Sequence, residues 1–368
     1  MNINILDKTF SRVAVMDTYI SLMWCKRYYD IGAIDLQVPA TTENVSLFRQ
    51  GFFITRDDDL TIYRIEVIEL DTSSEESNSL IIGAYDCKKI LSQRIIWDQT
   101  NFRGSVENFI RRIILDNVIA PNNPDRKIER FVLEPSKGFT DNFEIQAQYD
   151  QLDTKIIELC KAYGYGWEVN FTGGNFRFNL YKGIDHSIGQ TENNHVIFSP
   201  DFDNLVSSKY NVNESNYKNA ALVAGEGEGT ERKKRSLGTA TGIERFEMFI
   251  ESKASTKDGG DLVDYYEALI ADGKNELAKH STIATFEGQV EPSSYGYKKD
   301  FDLGDIITIN NEYGIKANAR IVEITETWNN EGYALDPVFE YINDDIDNGI
   351  LTEDSEQLLT EDGEGLCD

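Results

Sequence analysis

The residues of this 368-residue chain that could do chemistry are 64 Asp and Glu side chains, three histidines and four cysteines. Cys25, Cys87, Cys160 and Cys367 form no C-x-x-C pair and fit no zinc spacing. They read as three small buried thiols and one in a tail, in a chain made in a reducing compartment. His186 and His195 flank a polar stretch with no matched carboxylate motif, and His280 ends a predicted helix, where a cation suits the carbonyl end. Surface or capping roles are expected for all three, not metal binding. Asp57-Asp58-Asp59 lacks the D-x-D-x-D-G spacing and distal Glu of a calcium loop and reads as a turn. Gly225-Glu226-Gly227-Glu228-Gly229 would set two carboxylates against a phosphate with no helix starting behind it, so a hairpin tip or edge loop is expected. No G-x-S-x-G, H-E-x-x-H, Walker A or dinucleotide fingerprint is present. Two distant acids could still form a glycosidase pair, but nothing singles a pair out. The reading is no catalytic, cofactor-binding or metal-binding residues, no cofactor, and no enzyme.

Charge narrows the partners. Lys and Arg number 36, giving a net charge of −28, which argues against a stable nucleic-acid surface, because neutralising phosphates takes clustered bases. The one basic cluster, Arg232-Lys233-Lys234-Arg235, lacks interleaved aromatics and is expected as an exposed loop facing an acidic neighbouring subunit. Residues 343–368 hold ten acids and no Lys or Arg, leaving −18 on the rest. That tail cannot bury a core and reads as a solvated or partner-bound strip. No apolar run approaches the ~20 residues that span a bilayer, and the first residues lack the regions of a secretory signal.

The elements that would position any site are mostly strands. Segments 3–9, 12–19, 20–28, 32–38, 51–55, 60–70, 80–87 and 90–97 are rich in β-branched and aromatic residues, with a short helix at 42–49. The middle differs. Val106, Phe109, Ile110, Ile113, Ile114 and Val118 make a helical face within 104–119, capped by Ser105 and stopped by Pro121. Segments 126–134 and 143–149 read as strands. Segment 150–163 reads as a second helix, closed by Gly164, and 167–181 is a hairpin across Gly173-Gly174. The last third returns to strands at 205–212, 218–224, 282–290, 306–310, 319–328 and 333–341, interrupted by a helix over 261–280 that Gly273 weakens.

Two of these hairpins echo each other. Gly51-Phe52-Phe53-Ile54-Thr55 leads through a polar turn to Arg64-Ile65, and Gly304-Asp305-Ile306-Ile307-Thr308 leads through another to Arg320-Ile321. The gaps from Gly to Arg are 13 and 16 residues. Hairpins share alternation and turn chemistry without common descent, so chance similarity stays open beside duplication. Duplication would give two related β-barrels in one chain, and three copies would present six like units around a ring.

With the opening hairpin, the run from Trp97 to Phe109, the run from Phe139 to Tyr149 and the strand Leu303–Thr308, residues 1–342 resemble phage tail hub proteins: siphophage tail-associated (tail-tip) proteins and the baseplate hubs of contractile tails. The resemblance implies a mainly β fold with α+β parts. A first hub β-barrel domain would cover 1–97, a central α+β domain 98–195, and a second hub β-barrel domain 196–342, with a helical insertion around 243–281 and the acidic tail at 343–368. It implies a homotrimer in the virion, made in the host cytoplasm, at the distal end of a tail. There it would join a sixfold tube to a threefold tip as a conduit or plug for DNA ejection. The partners would be a distal tail protein ring, a tape measure protein and tip or receptor-binding proteins, with DNA passing only transiently. The chain departs from longer members in having no large peptidase, lysozyme or fibre domain after the hub region, so cell-wall degradation is not expected. An acidic lumen would repel phosphates. The alternatives are a receptor- or carbohydrate-binding β-protein of the same tip, which needs an exposed aromatic row, and a glycosidase, which needs two convergent acids in a cleft.

Overall fold

A computed structural model describes residues 1–72, 78–252, 262–280, 283–291, 294–311, 313–314 and 316–342, so Cys367 and the acidic tail lie outside the described residues. Two compact units emerge. The first takes Met1–Lys182, Val212–Ile283 and Thr325–Ala334, and the second takes Gly183–Asn211, Ala284–Ile324 and the described residues from Leu335 on.

The first unit opens with β1 (Ile3–Leu6), β2 (Arg12–Met16), β3 (Ser21–Arg27), β4 (Ala33–Pro39), the short helix α1 (Thr42–Leu47), β5 (Phe53–Arg56), β6 (Asp59–Asp71) and β7 (Ser79–Asp86). The strands run in the spatial order β3, β4, β7, β6, β5. Alternation sets which face is buried: in β4, Ile34, Leu36 and Val38 go inward while Asp35 points out. Those three join Leu22, Trp24, Ile54, Tyr63, Ile65 and Ile82 in one core. Thr41 caps α1 by accepting from the Asn44 N–H at 3.1 Å.

The expected strand over 90–97 does not form. Asp86 accepts from the Lys88 N–H at 3.0 Å and starts a 3₁₀ helix over Cys87–Gln93. Ile90, Leu91 and Ile96 are buried there all the same, so their apolar character reported burial and not extension.

The middle of the chain adds β8 (Thr100–Ser105), α2 (Val106–Ile114), β9 (Phe131–Leu133), β10 (Asn142–Ala147), α3 (Leu152–Tyr163), β11 (Gly166–Thr172) and β12 (Asn175–Tyr181). Ser105 caps α2, which continues as a π turn over Leu115–Ile119, and Gly164 closes α3 at φ 67°. β11 and β12 form the expected hairpin, Trp167 opposite Leu180 and Phe171 opposite Phe176. The strand expected over 126–134 shrinks to β9, because Pro124 opens a 3₁₀ turn over Pro124–Arg126 capped by Asn123.

After β13 (Ile197–Phe198) and β14 (Leu205–Asn213) the chain builds a small three-stranded sheet from β15 (Ala220–Ala224), β16 (Lys234–Leu237) and β17 (Glu247–Glu251), covered by α4 (Leu262–Ala278). Ala221, Val223, Ile250, Tyr265 and Leu269 are its core. It belongs to the first unit, where Lys279 bridges to Glu158 of α3 at 3.3 Å. The sequence shows the helix here, but the strands bring the α4 core its partners.

The chain then adds β18 (Ile283–Val290), β19 (Ile306–Asn310), β20 (Lys316–Asn329) and β21 (Gly332–Tyr341). Together with β14 they run in the spatial order β14, β18, β21, β20, β19. Chain order and spatial order repeat those of β3, β4, β5, β6 and β7, strand for strand.

Candidate functional site

Among the described residues no three His, Cys, Asp or Glu side chains converge as metal ligands, and no helix is long and apolar enough to cross a membrane. Cys25, Cys87 and Cys160 are buried and outside any disulfide among the described residues, and burial pushes the Cys87 and Cys160 thiols upward, away from the nucleophilic thiolate.

The acidic turn 57–59 has a structural occupation. Arg56, at the end of β5, is 3% exposed. Its Nη1 donates to Glu326 at 2.7 Å, and its Nε and Nη2 donate to Asp58 at 2.8 and 3.1 Å. Asp59 lies 3.9 Å away and also bridges Lys26 at 3.2 Å. The guanidinium sits 4.9 Å from the Trp24 ring and 5.4 Å from the Trp328 ring. Burial opposes its charge, but Glu326, Asp58 and Asp59 outweigh that and hold its pKa above the usual value. Sequence reasoning missed this residue. The acids beside it drew attention as turn formers, and Glu326 is 270 residues away.

Three further polar groups also serve the frame. Asp86 accepts from the Gly32 N–H at 2.8 Å, and Lys88, 3.5 Å from it, donates to the Arg27 and Asp30 carbonyls, so this buried pair ties the β3–β4 turn to the end of β7. Glu107, on the first turn of α2, accepts from the Lys137 and Phe139 N–H groups at 2.6 and 2.9 Å. His186 does meet a carboxylate, contrary to expectation: its Nε2 lies 3.6 Å from Asp305, which also accepts from the Ile184 and Asp302 N–H groups. His195 and His280 each lie within hydrogen-bond distance of a backbone carbonyl.

The basic cluster is not a free loop. Lys234 and Arg235 open β16, while Arg232 bridges Glu251 at 2.7 Å, Lys233 lies 4.8 Å from the Tyr265 ring and Arg235 3.3 Å from that of Tyr266. β15 pairs antiparallel with β16, Ala224 opposite Lys234, so Gly225–Gly229 is part of a hairpin connection, with Gly227 and Gly229 at positive φ. A surface pocket of about 420 Å³ holds Arg94, Trp97, Asn123, Arg126 and Gln151. It carries one exposed indole, and Arg126 already stacks on that at 4.6 Å.

The two echoing hairpins agree to the hydrogen bond. In the first, the Gly51 N–H donates to the Ile65 carbonyl at 2.9 Å and the Ile65 N–H to the Phe52 carbonyl at 2.8 Å. In the second, the Gly304 N–H donates to the Ile321 carbonyl at 2.8 Å and the Ile321 N–H to the Asp305 carbonyl at 2.9 Å. Phe53 stands opposite Arg64 as Ile306 stands opposite Arg320. Gly51 and Gly304 have φ of 81° and 96°, a region closed to most side chains, so each hairpin needs its glycine. The outer neighbours differ: β1 runs antiparallel to β5, and β13 runs parallel to β19.

The surface also carries strand with little cover. β14 is exposed along most of its length, Val206 at 61% and Val212 at 43%. Beyond Arg64, where β5 ends its pairing, β6 exposes Val67 at 45% and Leu70 at 52%.

A family model described as Siphovirus ReqiPepy6 Gp37-like protein matches residues 2–339. No curated protein matches the chain. Among solved structures, a tail protein from Neisseria meningitidis MC58 superposes with a TM-score of 0.58 at 11% identity, over 92% of this chain and 95% of that one. The 43 kDa tail protein of prophage MuSo2 from Shewanella oneidensis gives 0.55 at 12%, over 92% and 98%. Prophage tail protein gp18 from Listeria monocytogenes EGD-e gives 0.54 at 11%, over 94% and 96%. At such identities the likeness is one of fold.

Proposed function

The chain belongs to the siphovirus ReqiPepy6 Gp37-like family, and from that premise, with its fold shared by tail proteins, we propose that it is the structural hub at the distal end of a phage tail. In this role three copies form a ring that joins a sixfold tube to a threefold tip and lets DNA pass during ejection. Its two five-stranded units are the two tube-type hub domains, and the α+β segment and the insertion decorate them. It works without a cofactor and without catalysis, in contact with a distal tail ring, a tape measure protein and tip proteins. The observation that carries the reading is the repeated strand order, with hairpins that agree in register and hydrogen bonding. A chain with two equivalent units turns threefold symmetry into six equivalent positions.

The test is light scattering after size exclusion, followed by negative-stain class averages viewed down the symmetry axis. A trimeric mass and an annulus with six similar lobes are expected. A persistent monomer, or a ring with no threefold axis, would remove the proposal.

A further inference from the structure

The repeat assigns a partner to two strand edges. In the first unit β3 has β4 on one side and, on the other, β20, whose residues in that unit are Thr325–Asn329. Strand β14 holds the place of β3 in the other repeat. It has β18 on one side and ends the strand order on the other, among the described residues. By the match of Arg320 with Arg64, residues 325–327 of β20 correspond to residues 69–71, the last three of β6. Here β5 pairs only as far as Arg64 and β11 meets β6 at Thr61, so β7 is the strand neighbour of Val67–Asp71 among the described residues. The repeat thus yields one strand edge and one strand end that, among the described residues, do not have the strand neighbour of their equivalents.

We infer that β14 of one copy of this chain pairs with the Val67–Asp71 end of β6 in the next copy, as a continuous inter-subunit sheet. The occupant is a second copy because the chain itself contains the matching half of the contact. Backbone edges are self-complementary wherever strands lie ~4.8 Å apart. The exposed side chains agree: Val206, Tyr210 and Val212 on β14, Val67 and Leu70 on β6. The contact is heterologous, edge to overhang, so it propagates from copy to copy and closes when the rotation allows. This rests on the trimeric reading above and names the surfaces that build it.

The test uses the full chain with Cys367→Ser, which leaves three buried thiols. Val206→Cys and Asn211→Cys on β14 are each combined with Val67→Cys or Glu69→Cys on β6 and treated with a short bismaleimide, while mass photometry reports the oligomer in the same sample. A ladder ending at a closed trimer is expected from the combined variants. A single cross-linked dimer is expected from mixing one β14 variant with one β6 variant, and no cross-link from either alone. A trimer with no cross-link for any combination would overturn the strand pairing and leave the trimeric reading standing. A monomer at every accessible concentration, with no ladder, would overturn both. As a second arm, Val206→Lys with Val212→Lys charges the edge. Loss of the trimer with unchanged circular dichroism is expected, and a trimer that survives this change would also overturn the pairing.

Discussion

At the scale of single residues, Arg56 and Glu107 show what the abundant acids do. Removing Arg56 leaves Glu326, Asp58 and Asp59 around a buried gap, and breaking one side of a buried ion pair costs about 3–5 kcal/mol. Arg56→Met is therefore expected to lower the urea midpoint sharply. Arg56→Met combined with Glu326→Gln should recover part of the loss, which a double-mutant cycle reads directly. Glu107 supplies a pH prediction. Burial pushes its pKa up, but the N–H groups of Lys137 and Phe139 more than offset this, so its folded pKa lies below the ordinary 4.5. As pH falls from 4.5 toward the folded pKa, the unfolded chain takes up its proton first and stability drops. Glu107→Gln is expected to cost about 1–3 kcal/mol at neutral pH and to flatten that acid limb, checked by urea titrations between pH 3 and 7. Neither residue was legible in the sequence as more than one acid or base among many. Partners 270 residues away in the chain leave no local pattern.

At the scale of elements, periodicity found most strands and all the longer helices, and it failed where burial and extension separate. Ile90, Ile95 and Ile96 look like strand residues and sit in and just after a 3₁₀ turn, because the cap from Asp86 and the carbonyls held by Lys88 fix the chain there. Gly273 is the reverse case. By propensity it weakens α4 by about 1 kcal/mol relative to Ala. A Cβ at that position, however, would lie 2.2 Å from Leu237 Cδ1 and 2.6 Å from Val223 Cγ2, so the glycine lets the helix close on β15 and β16. Gly273→Ala is expected to destabilise the insertion by about 1–3 kcal/mol in spite of its better propensity. Hydrogen exchange should show lost protection in β15 and α4 while β4 and β7 keep theirs. A stabilised insertion would mean that propensity outweighs packing here.

At the scale of the whole molecule, the legible signal was the echo between Gly51–Ile65 and Gly304–Ile321, because a glycine at positive φ and an Arg-Ile pair at matched register survive as residue types. The equivalence of β14 with β3 was not legible, since it is defined by which strands lie side by side. Charge supplies the last prediction. Each copy carries −28, so bringing copies together is opposed by like-charge repulsion at a range set by the Debye length, about 30 Å at 0.01 M salt and about 8 Å at 0.15 M. The edges assigned to the contact carry Val206, Tyr210, Val212, Val67 and Leu70 with backbone groups, which salt screens little, and only three charges, Lys209 on one strand and Glu69 and Asp71 on the other. Association is therefore expected to strengthen as salt rises from about 0.01 to 0.15 M, with sedimentation equilibrium showing a falling dissociation constant and no loss of trimer. An interface built on ion pairs, such as basic residues meeting an acidic neighbour, would weaken over the same range. Weakening would point away from the strand edges and back toward charged surfaces, and Arg232 and Arg235 would be poor candidates even then, since both are held by Glu251 and Tyr266 of their own chain.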